Sequence, residues 1–182
     1  MNEHIGGMLE KYLCRWPEEA ETVCKFVDIL SRCPGCFERE HQPAHLTGSA
    51  WVVNRSGTHI LLTHHRKLDR WLQLGGHADG NRDILGVAVR EVAEESGLTD
   101  VESAWEDIFD LDIHLIPARK SEPEHFHFDV RFASRVTGRE DYVVSAESND
   151  LAWVEIVDLA SYTTEESMLR MGKKWLLHAR KS

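Results

Sequence analysis

Four residues within one six-residue stretch have the types and spacing of a metal centre: Arg90, Glu91, Glu94 and Glu95. Residues three and four apart lie on one face of a helix, so the three carboxylates are predicted to project together. Like charges at that spacing repel one another, and a divalent cation would turn the repulsion into attraction. Carboxylate oxygens suit hard ions such as Mg²⁺ or Mn²⁺. The alternative interpretation is a solvated helix face.

The neighbouring residues predict how that helix is held. The Gly75-Gly76 pair forms a loop before it, Asp83 stands where an anion favours the helix start, and Gly97 stands where a left-handed residue would end it. Small and apolar side chains recur at helical spacing and are predicted to pack roughly opposite the acids. They are Leu85, Ala88, Val89, Val92 and Ser96.

The segment from Gly76 to Leu98 resembles the signature of the Nudix family. That signature is a glycine, five residues, a glutamate, seven residues, and then R-E-U-x-E-E-x-G-U, where U is bulky and aliphatic. The residues in register are Gly76, Arg90, Glu91, Val92, Glu94, Glu95, Gly97 and Leu98. Arg82 stands at the position of the first glutamate, with Asp83 adjacent. In the family that glutamate supports the loop and helix, so its replacement bears on loop geometry and rate more than on metal binding.

The resemblance implies a fold and a reaction. The fold is α/β, a Nudix-type α/β/α sandwich with a mixed β-sheet over residues 46–182, preceded by an N-terminal helical extension and loop, residues 1–45. The reaction is hydrolysis of the pyrophosphate linkage of a nucleoside diphosphate linked to a moiety X, by attack of water on phosphorus. Nucleotide sugars, ADP-ribose and nucleoside triphosphates are the substrate classes expected. Extra motifs of the NADH, coenzyme A and diadenosine polyphosphate subgroups are not evident.

The resemblance also assigns roles to residues. Mg²⁺ or Mn²⁺ would be held by the carboxylates of Glu91, Glu94 and Glu95 and by the backbone carbonyl of Gly76. Arg90 would orient the glutamates rather than contact the substrate.

Family members often draw a further carboxylate, as ligand or general base, from a loop beyond the sheet. Glu147 is the leading prediction for that carboxylate, because it lies in a loop before the final predicted strand. Glu122 and Glu124 are alternatives, ordinary loop acids are another, and in several family members the base is the glutamate that corresponds to Glu91.

Two other functions remain compatible with the fold. A non-catalytic, nucleotide-sensing Nudix domain is favoured by Arg82 but opposed by the intact glutamates. An isomerase like isopentenyl diphosphate isomerase would need a catalytic cysteine, and the sequence has none after Cys36.

The segment from His125 to Val130 alternates strictly between two faces of a predicted strand. One face carries His125, His127 and Asp129, and the other carries apolar side chains predicted to pack into the core, Phe126, Phe128 and Val130. The polar face is predicted either to line the substrate cleft, to lie at the surface, or to bind a transition metal. His77 could join it.

Basic residues precede the glycine loop, as a polyphosphate substrate would require. Arg66 and Gln73 are the predicted substrate contacts, whereas Lys67 and Arg70 are at least as well explained as a solvated hairpin end.

Cys33 and Cys36 have the spacing of redox and zinc sites, and His41 and His45 could complete a zinc site. A Pro-Gly turn that happens to be flanked by cysteines is the simpler interpretation.

Periodicity predicts the remaining elements. The predicted helices are 7–30, broken near Trp16-Pro17, and 164–179. The predicted strands are 48–54, 59–64, 71–74, 110–116, 125–136 and 151–155. The predicted loops are 31–46, 55–57 and 117–124.

The formal net charge of −10 argues against nucleic acid or an anionic membrane as a partner. No apolar run is long enough to span a bilayer, and the first residues lack a signal peptide. The expectation is a cytoplasmic protein, with a homodimer through the N-terminal helices as an analogy to the family.

Overall fold

The computed structural model describes residues 3–119 and 123–179. Its helices are α1 (Glu3–Arg15), α2 (Ala20–Arg32), α3 (Ile84–Ser96) and α4 (Glu166–Ala179), with 3₁₀ turns at Pro17–Glu19 and Ile156–Ser161. Its strands are β1 (Ala44–Val53), β2 (His59–His65), β3 (Arg70–Leu72), β4 (Leu74–His77), β5 (Val101–Ser103), β6 (Asp110–Ile116), β7 (His125–Val136) and β8 (Ser148–Glu155).

The strands form one mixed sheet around β1. β1 pairs in parallel with β7 along its whole length and antiparallel with β4, and it meets β2 at Val53 and Ile60. The main path of the sheet is β3-β2-β1-β7-β5, with β6 paired to β7 and β8 paired to β2. Because β1 borders both β4 and β7, side chains from three strands meet near its N-terminal half.

Helices cover both faces of the sheet. One apolar cluster joins α1, α2 and α3 to the sheet through residues such as Phe26, Leu46 and Val92. A second cluster joins α4 to the opposite face through residues such as Trp51 and Trp175. Neighbouring residues of β1 point to opposite clusters, as strand geometry requires, so the α/β/α sandwich is confirmed.

The N-terminal extension packs on the sheet and is tied to α4 by buried charges. The Nζ of Lys174 lies 2.6 Å from Glu19, 2.7 Å from Asp110, and 2.7 Å from the Tyr12 hydroxyl. Asp110 also accepts from Arg170, at 2.7 and 2.9 Å. Opposite charges compensate one another inside the fold, which is the condition under which such groups can be buried.

Most predicted elements are present. The helix break at Trp16-Pro17, the turn at 55–57 and the strands 110–116 and 125–136 are confirmed, while β1 begins at Ala44 rather than at residue 48. β5 and the 3₁₀ turn at Ile156–Ser161 were not predicted. Part of the predicted loop 117–124 lies outside the described residues. No helix among the described residues is long and apolar enough to cross a membrane.

The prediction that both phenylalanines of the alternating segment are core residues is wrong for Phe126. Its side chain is 42% exposed, whereas Phe128 is half-buried with its ring edge against Phe26, at a centroid distance of 5.1 Å. Phe126 lies near the start of β7, opposite Ala44 at the start of β1. Strand alternation fixes the face of a side chain but not whether another element covers that face.

Candidate functional site

A cleft of about 550 Å³ opens between β4, α3 and the N-terminal half of β1. Gly75 and Gly76, predicted as a loop, belong to β4 and pair with β1; the name glycine loop is kept for this pair below. Most of the predicted site residues line it: Gln73, Gly76, His77, Arg90, Glu91, Glu94, His127, Asp129 and Glu147. Glu95, Arg66 and His125 do not line it.

The glycine loop and the first glutamate of α3 fit closely together. A Cβ atom at Gly76 would lie 2.5 Å from the Glu91 carboxyl carbon and 2.6 and 2.7 Å from its oxygens. The absence of a side chain at Gly76 therefore lets the Glu91 carboxylate lie against the loop backbone. Arg90 holds that arrangement, since it donates to the His77 carbonyl at 3.1 Å and to Glu91 at 2.8 Å.

Glu95 lies behind the loop rather than in the open cleft. It is 8% exposed and accepts a hydrogen bond from the Gly75 backbone N–H at 2.7 Å. Burial and, to a smaller extent, the nearby Glu91, Glu147 and Glu94 raise the pKa of its carboxyl to about 7, although the Gly75 hydrogen bond lowers it. Burial likewise raises the pKa of Glu91 despite its pairing with Arg90. These carboxylates lack full compensation within the described chain, as expected of ligands for a cation.

The ends of α3 are formed as predicted, but its buried face differs. Asp83 caps the helix by accepting from the Gly86 N–H at 3.0 Å, and Gly97 takes a left-handed φ of 73°. Val89, predicted to pack, is 41% exposed, and Glu95 takes a place on the buried side. The three carboxylates therefore differ in exposure instead of sharing one exposed face: Glu94 is exposed, Glu91 is half-buried and Glu95 is buried.

Glu147 lines the cleft from the loop before β8. It is one of the acids whose charge raises the pKa of both Glu91 and Glu95, so it faces the carboxylate cluster. Glu124 is exposed and outside the cleft lining, and Glu122 lies outside the described residues.

The floor of the cleft is a closed hydrogen-bond network around Asp129. This carboxylate is 1% exposed and accepts from Thr47 at 2.9 Å, Ser49 at 2.7 Å, Gln73 at 3.2 Å and the Arg131 Nε at 2.7 Å. The Asp129 carboxylate is thus already hydrogen-bonded to neighbouring side chains. The Oε1 of Gln73 is buried and makes no hydrogen bond within the described part of the chain, so it can accept one from a bound molecule.

A group of histidines lies beside this floor, and His77, His114 and His127 among them line the cleft. The register places His45 opposite His127 in the β1–β7 pair, and His114 opposite His127 in the β6–β7 pair. Burial, together with the neighbouring histidines, lowers the pKa of His45 to about 4 and that of His127 to about 2. Both imidazoles are therefore neutral at physiological pH.

The basic residues before the glycine loop separate into two groups. Arg66 donates to the Ser148 carbonyl at 3.2 Å and to Asn149 at 3.4 Å, away from the cleft lining. His65 and Lys67 line the cleft. The structure thus brings Gln73, but not Arg66, to the predicted substrate region.

The Cys33–Cys36 segment is a turn, closed by a hydrogen bond from the Cys36 N–H to the Cys33 carbonyl at 3.1 Å. Among the described residues no metal-ligand group includes either cysteine. Burial, together with the nearby Cys33, raises the pKa of the Cys36 thiol to about 11. Arg82, at the variant position of the signature, lies over the Phe37 ring at 5.3 Å and donates to the Pro34 carbonyl at 3.5 Å.

Several residues that line the cleft were not identified from the sequence: Arg39, Thr47, Ser49, Asp79 and His114. Asp110, Asp112 and His114 alternate along β6, which was a usable signal for a polar strand face. Thr47 and Ser49 carried no such signal, because only the pairing of β1 with β7 brings them to Asp129.

Residues 43–174 match the family model described as NUDIX domain. The chain is similar in structure to an Ap4A hydrolase from C. elegans, with a TM-score of 0.62 and 18% identity over 75% of this chain and 98% of that one. It is also similar to a NUDIX-family hydrolase from Clostridium perfringens, with a TM-score of 0.55 and 25% identity over 73% and 97%.

A third similar structure is the E. coli dihydroneopterin triphosphate pyrophosphohydrolase, with a TM-score of 0.57 and 13% identity over 73% of this chain and 95% of that one. A search of curated proteins finds no match.

Proposed function

The chain belongs to the Nudix family of pyrophosphohydrolases, and from that premise we propose that it is a divalent-metal-dependent enzyme acting on a nucleoside diphosphate linked to a moiety X. Water attacks one phosphorus, the bridging P–O bond breaks, and a nucleoside monophosphate and X-phosphate leave. The proposal rests on the close fit of the Glu91 carboxylate against Gly76. Glu94 lies beside Glu91, and Glu147 faces the same cluster.

The residues present fit a divalent cation. The donor set consists of oxygens, from Glu91, Glu94 and Glu95 and from the Gly76 carbonyl, as Mg²⁺ and Mn²⁺ prefer. When bound, the cation would neutralise phosphate charge and make a bound water more acidic.

The protein's own groups supply positioning and proton transfer. Arg90 fixes Glu91 by bonding both that carboxylate and the loop carbonyl of His77. Glu147 is proposed as the general base, because it faces the cluster from an exposed loop where its carboxylate can rotate toward a water. Lys67 lines the cleft and is proposed to contact the phosphates, and the free Oε1 of Gln73 to accept from the substrate.

The test is hydrolysis of a panel of nucleotide sugars, ADP-ribose, dinucleotides and nucleoside triphosphates with Mg²⁺ or Mn²⁺. Turnover of one class that falls at least about 10²-fold in Glu94→Gln and Glu95→Gln, with folding retained, is the expected result. Glu140→Gln, in a loop outside the cleft lining, is the matched control. If the protein binds one of these compounds but hydrolyses none of them, the proposal is wrong and a nucleotide-sensing domain is the better explanation.

A further inference from the structure

Three histidines from three adjacent strands converge beside the carboxylate cluster. His45 on β1, His77 on β4 and His127 on β7 each offer a ring nitrogen, and these nitrogens all lie within 4.8 Å of one another. The ring centroids are 5.2, 4.8 and 5.1 Å apart. The pairing of β1 with β7 and β4 fixes this convergence, because His45 lies opposite His127 and the neighbouring Thr47 lies opposite His77.

One of these nitrogens is buried and lacks a partner. His45 is 2% exposed, and its Nδ1 lies 3.4 Å from the His41 carbonyl, which can only accept a hydrogen bond. Nδ1 therefore carries the proton, and Nε2 carries a lone pair. That Nε2 makes no hydrogen bond in the described structure. A buried acceptor without a partner destabilises the fold, so a ligand is expected at this atom.

The lone pair decides which kind of ligand fits. Phosphate oxygens are acceptors, and an acceptor nitrogen repels them. A metal ion accepts the lone pair directly. Neutral imidazoles suit Zn²⁺, Ni²⁺, Cu²⁺ and Fe²⁺, whereas Mg²⁺ prefers the oxygens of the glutamate cluster. The hydrogen bond from His45 to a backbone carbonyl is also the outer contact that metal-binding histidines usually make.

The surroundings support a cation at this position. The Nε2 of His125 lies 3.2 Å from the Nε2 of His127, and Pro123 accepts from the Nδ1 of His125 at 2.8 Å, which orients the His127 ring. A second cavity, of about 530 Å³, is lined by His45, His77 and His125 and provides an entry path. His77 and His127 also line the main cleft, so an ion here would face it.

We propose that His45, His77 and His127 bind one transition-metal ion of the Zn²⁺ type, at a site separate from the glutamate cluster. We call it the histidine site. A tetrahedral ion with bonds of about 2.0 Å needs nitrogens roughly 3.3 Å apart, so binding draws the rings closer together. Three protein ligands leave a fourth position for water or a substrate oxygen. The inference does not depend on the proposed hydrolase activity.

The test is direct metal binding by full-length protein freed of any affinity tag and of metal, in excess Mg²⁺. Co²⁺ is titrated while the visible absorption of the ion is recorded, and Zn²⁺ binding is then measured by displacement. We expect one Co²⁺ per chain, displaced by Zn²⁺ and not by Mg²⁺. His45→Gln and His127→Gln should each weaken Zn²⁺ binding at least about tenfold. Because His45 is buried, His77→Gln provides a half-exposed third variant if His45→Gln does not fold.

Two variants separate the histidine site from other sources of binding. Glu94→Gln removes a carboxylate of the neighbouring cluster, and His59→Asn removes a histidine near the β1–β2 turn. Both should keep the wild-type Zn²⁺ affinity. Absence of saturable Co²⁺ binding, wild-type affinity in folded His127→Gln and His77→Gln, or loss of Zn²⁺ binding in Glu94→Gln would each overturn the proposal. Because the readout is binding, a protein that fails to hydrolyse any nucleotide can still confirm it.

Discussion

Replacing Asp110 with asparagine is expected to lower the free energy of unfolding by about 3–5 kcal/mol, the range for removing one partner from a buried ion pair. Asp110 has no solvent exposure, and its carboxylate accepts from three cations. These are Arg131 at 3.3 Å, Arg170 at 2.7 and 2.9 Å, and Lys174 at 2.7 Å. Asparagine removes the charge and turns an NH₂ group toward donors.

Most of this loss of stability should come from two of the three cations, which stay buried without the Asp110 carboxylate. The side chains of Arg131 and Lys174 are 3% and 4% exposed, so water cannot replace the lost carboxylate. Arg170 is 33% exposed and can be partly rehydrated. In the variant, Arg131 still pairs with Asp129 and Asp112, and Lys174 still pairs with Glu19. The expected loss of stability therefore lies within the range for one broken ion pair rather than above it.

The assay is urea unfolding followed by tryptophan fluorescence. With a slope of about 2 kcal/mol per molar urea, a loss of about 4 kcal/mol lowers the midpoint by about 2 M. Asp28→Asn is the control, because it breaks an exposed pair with Arg32 and should change stability by less than about 0.5 kcal/mol. An Asp110→Asn midpoint within about 0.5 M of the wild type would refute the view that these charges stabilise one another.

Three further outcomes are expected. Gly76→Ala should lower kcat by about 10²-fold or more, since its Cβ must displace the Glu91 carboxylate, and steady-state kinetics on the substrate found will measure this. Alkylation of Cys36 at pH 8, followed by peptide mass spectrometry, should be about 100-fold slower than that of the exposed cysteines, because burial raises its pKa to about 11 and keeps it protonated until the pH approaches that value. Phe126→Ala should cost less than about 1 kcal/mol in urea unfolding and Phe128→Ala about 2 kcal/mol or more, because only Phe128 packs against the core.

Each of these outcomes has a clear contrary result. Gly7→Ala is the control for the first, because a Cβ at Gly7 meets nothing within 4 Å; equal rates for the Gly7 and Gly76 variants would exclude a close fit at the loop. Alkylation of Cys36 as fast as that of Cys14 in the folded protein would show an accessible thiolate. Equal destabilisation by the two phenylalanine variants would mean that Phe126 is covered in solution.

The sequence predicted the elements that depend on local signals. The capping of α3 by Asp83 and its end at Gly97 follow from residue chemistry within one turn, and the bounds of β6 and β7 follow from alternation. The sequence did not predict which of these residues meet. Thr47 reaches Asp129 only through the parallel pairing of β1 and β7, which joins segments about eighty residues apart in the chain.

For the glutamates too, the sequence predicted part of the arrangement and the fold determined the rest. Their spacing and the family resemblance predicted the cluster, but the prediction that all three carboxylates project together, opposite the packed side chains, implied that Glu95 is exposed. The structure buries it, because the Gly75 N–H offers a hydrogen-bond partner behind the loop. Arg66 was predicted at the cleft from its charge, yet its neighbour Lys67 lines the cleft instead, since the β2–β3 turn directs consecutive side chains differently.

The buried charges that join the N-terminal helices to α4 have a consequence for how this protein can be divided. The family model begins at residue 43, but Lys174 inside that span is neutralised by Glu19 and bonded by Tyr12 outside it. A fragment cut at residue 43 would lose Glu19 and the Tyr12 and Trp16 rings that lie over the Lys174 ammonium. It would also expose the apolar side of the sheet against which Phe26 packs. The stretch recognisable as the family domain is therefore smaller than the unit that folds, and truncation at the family boundary should give an unstable fragment rather than a minimal enzyme.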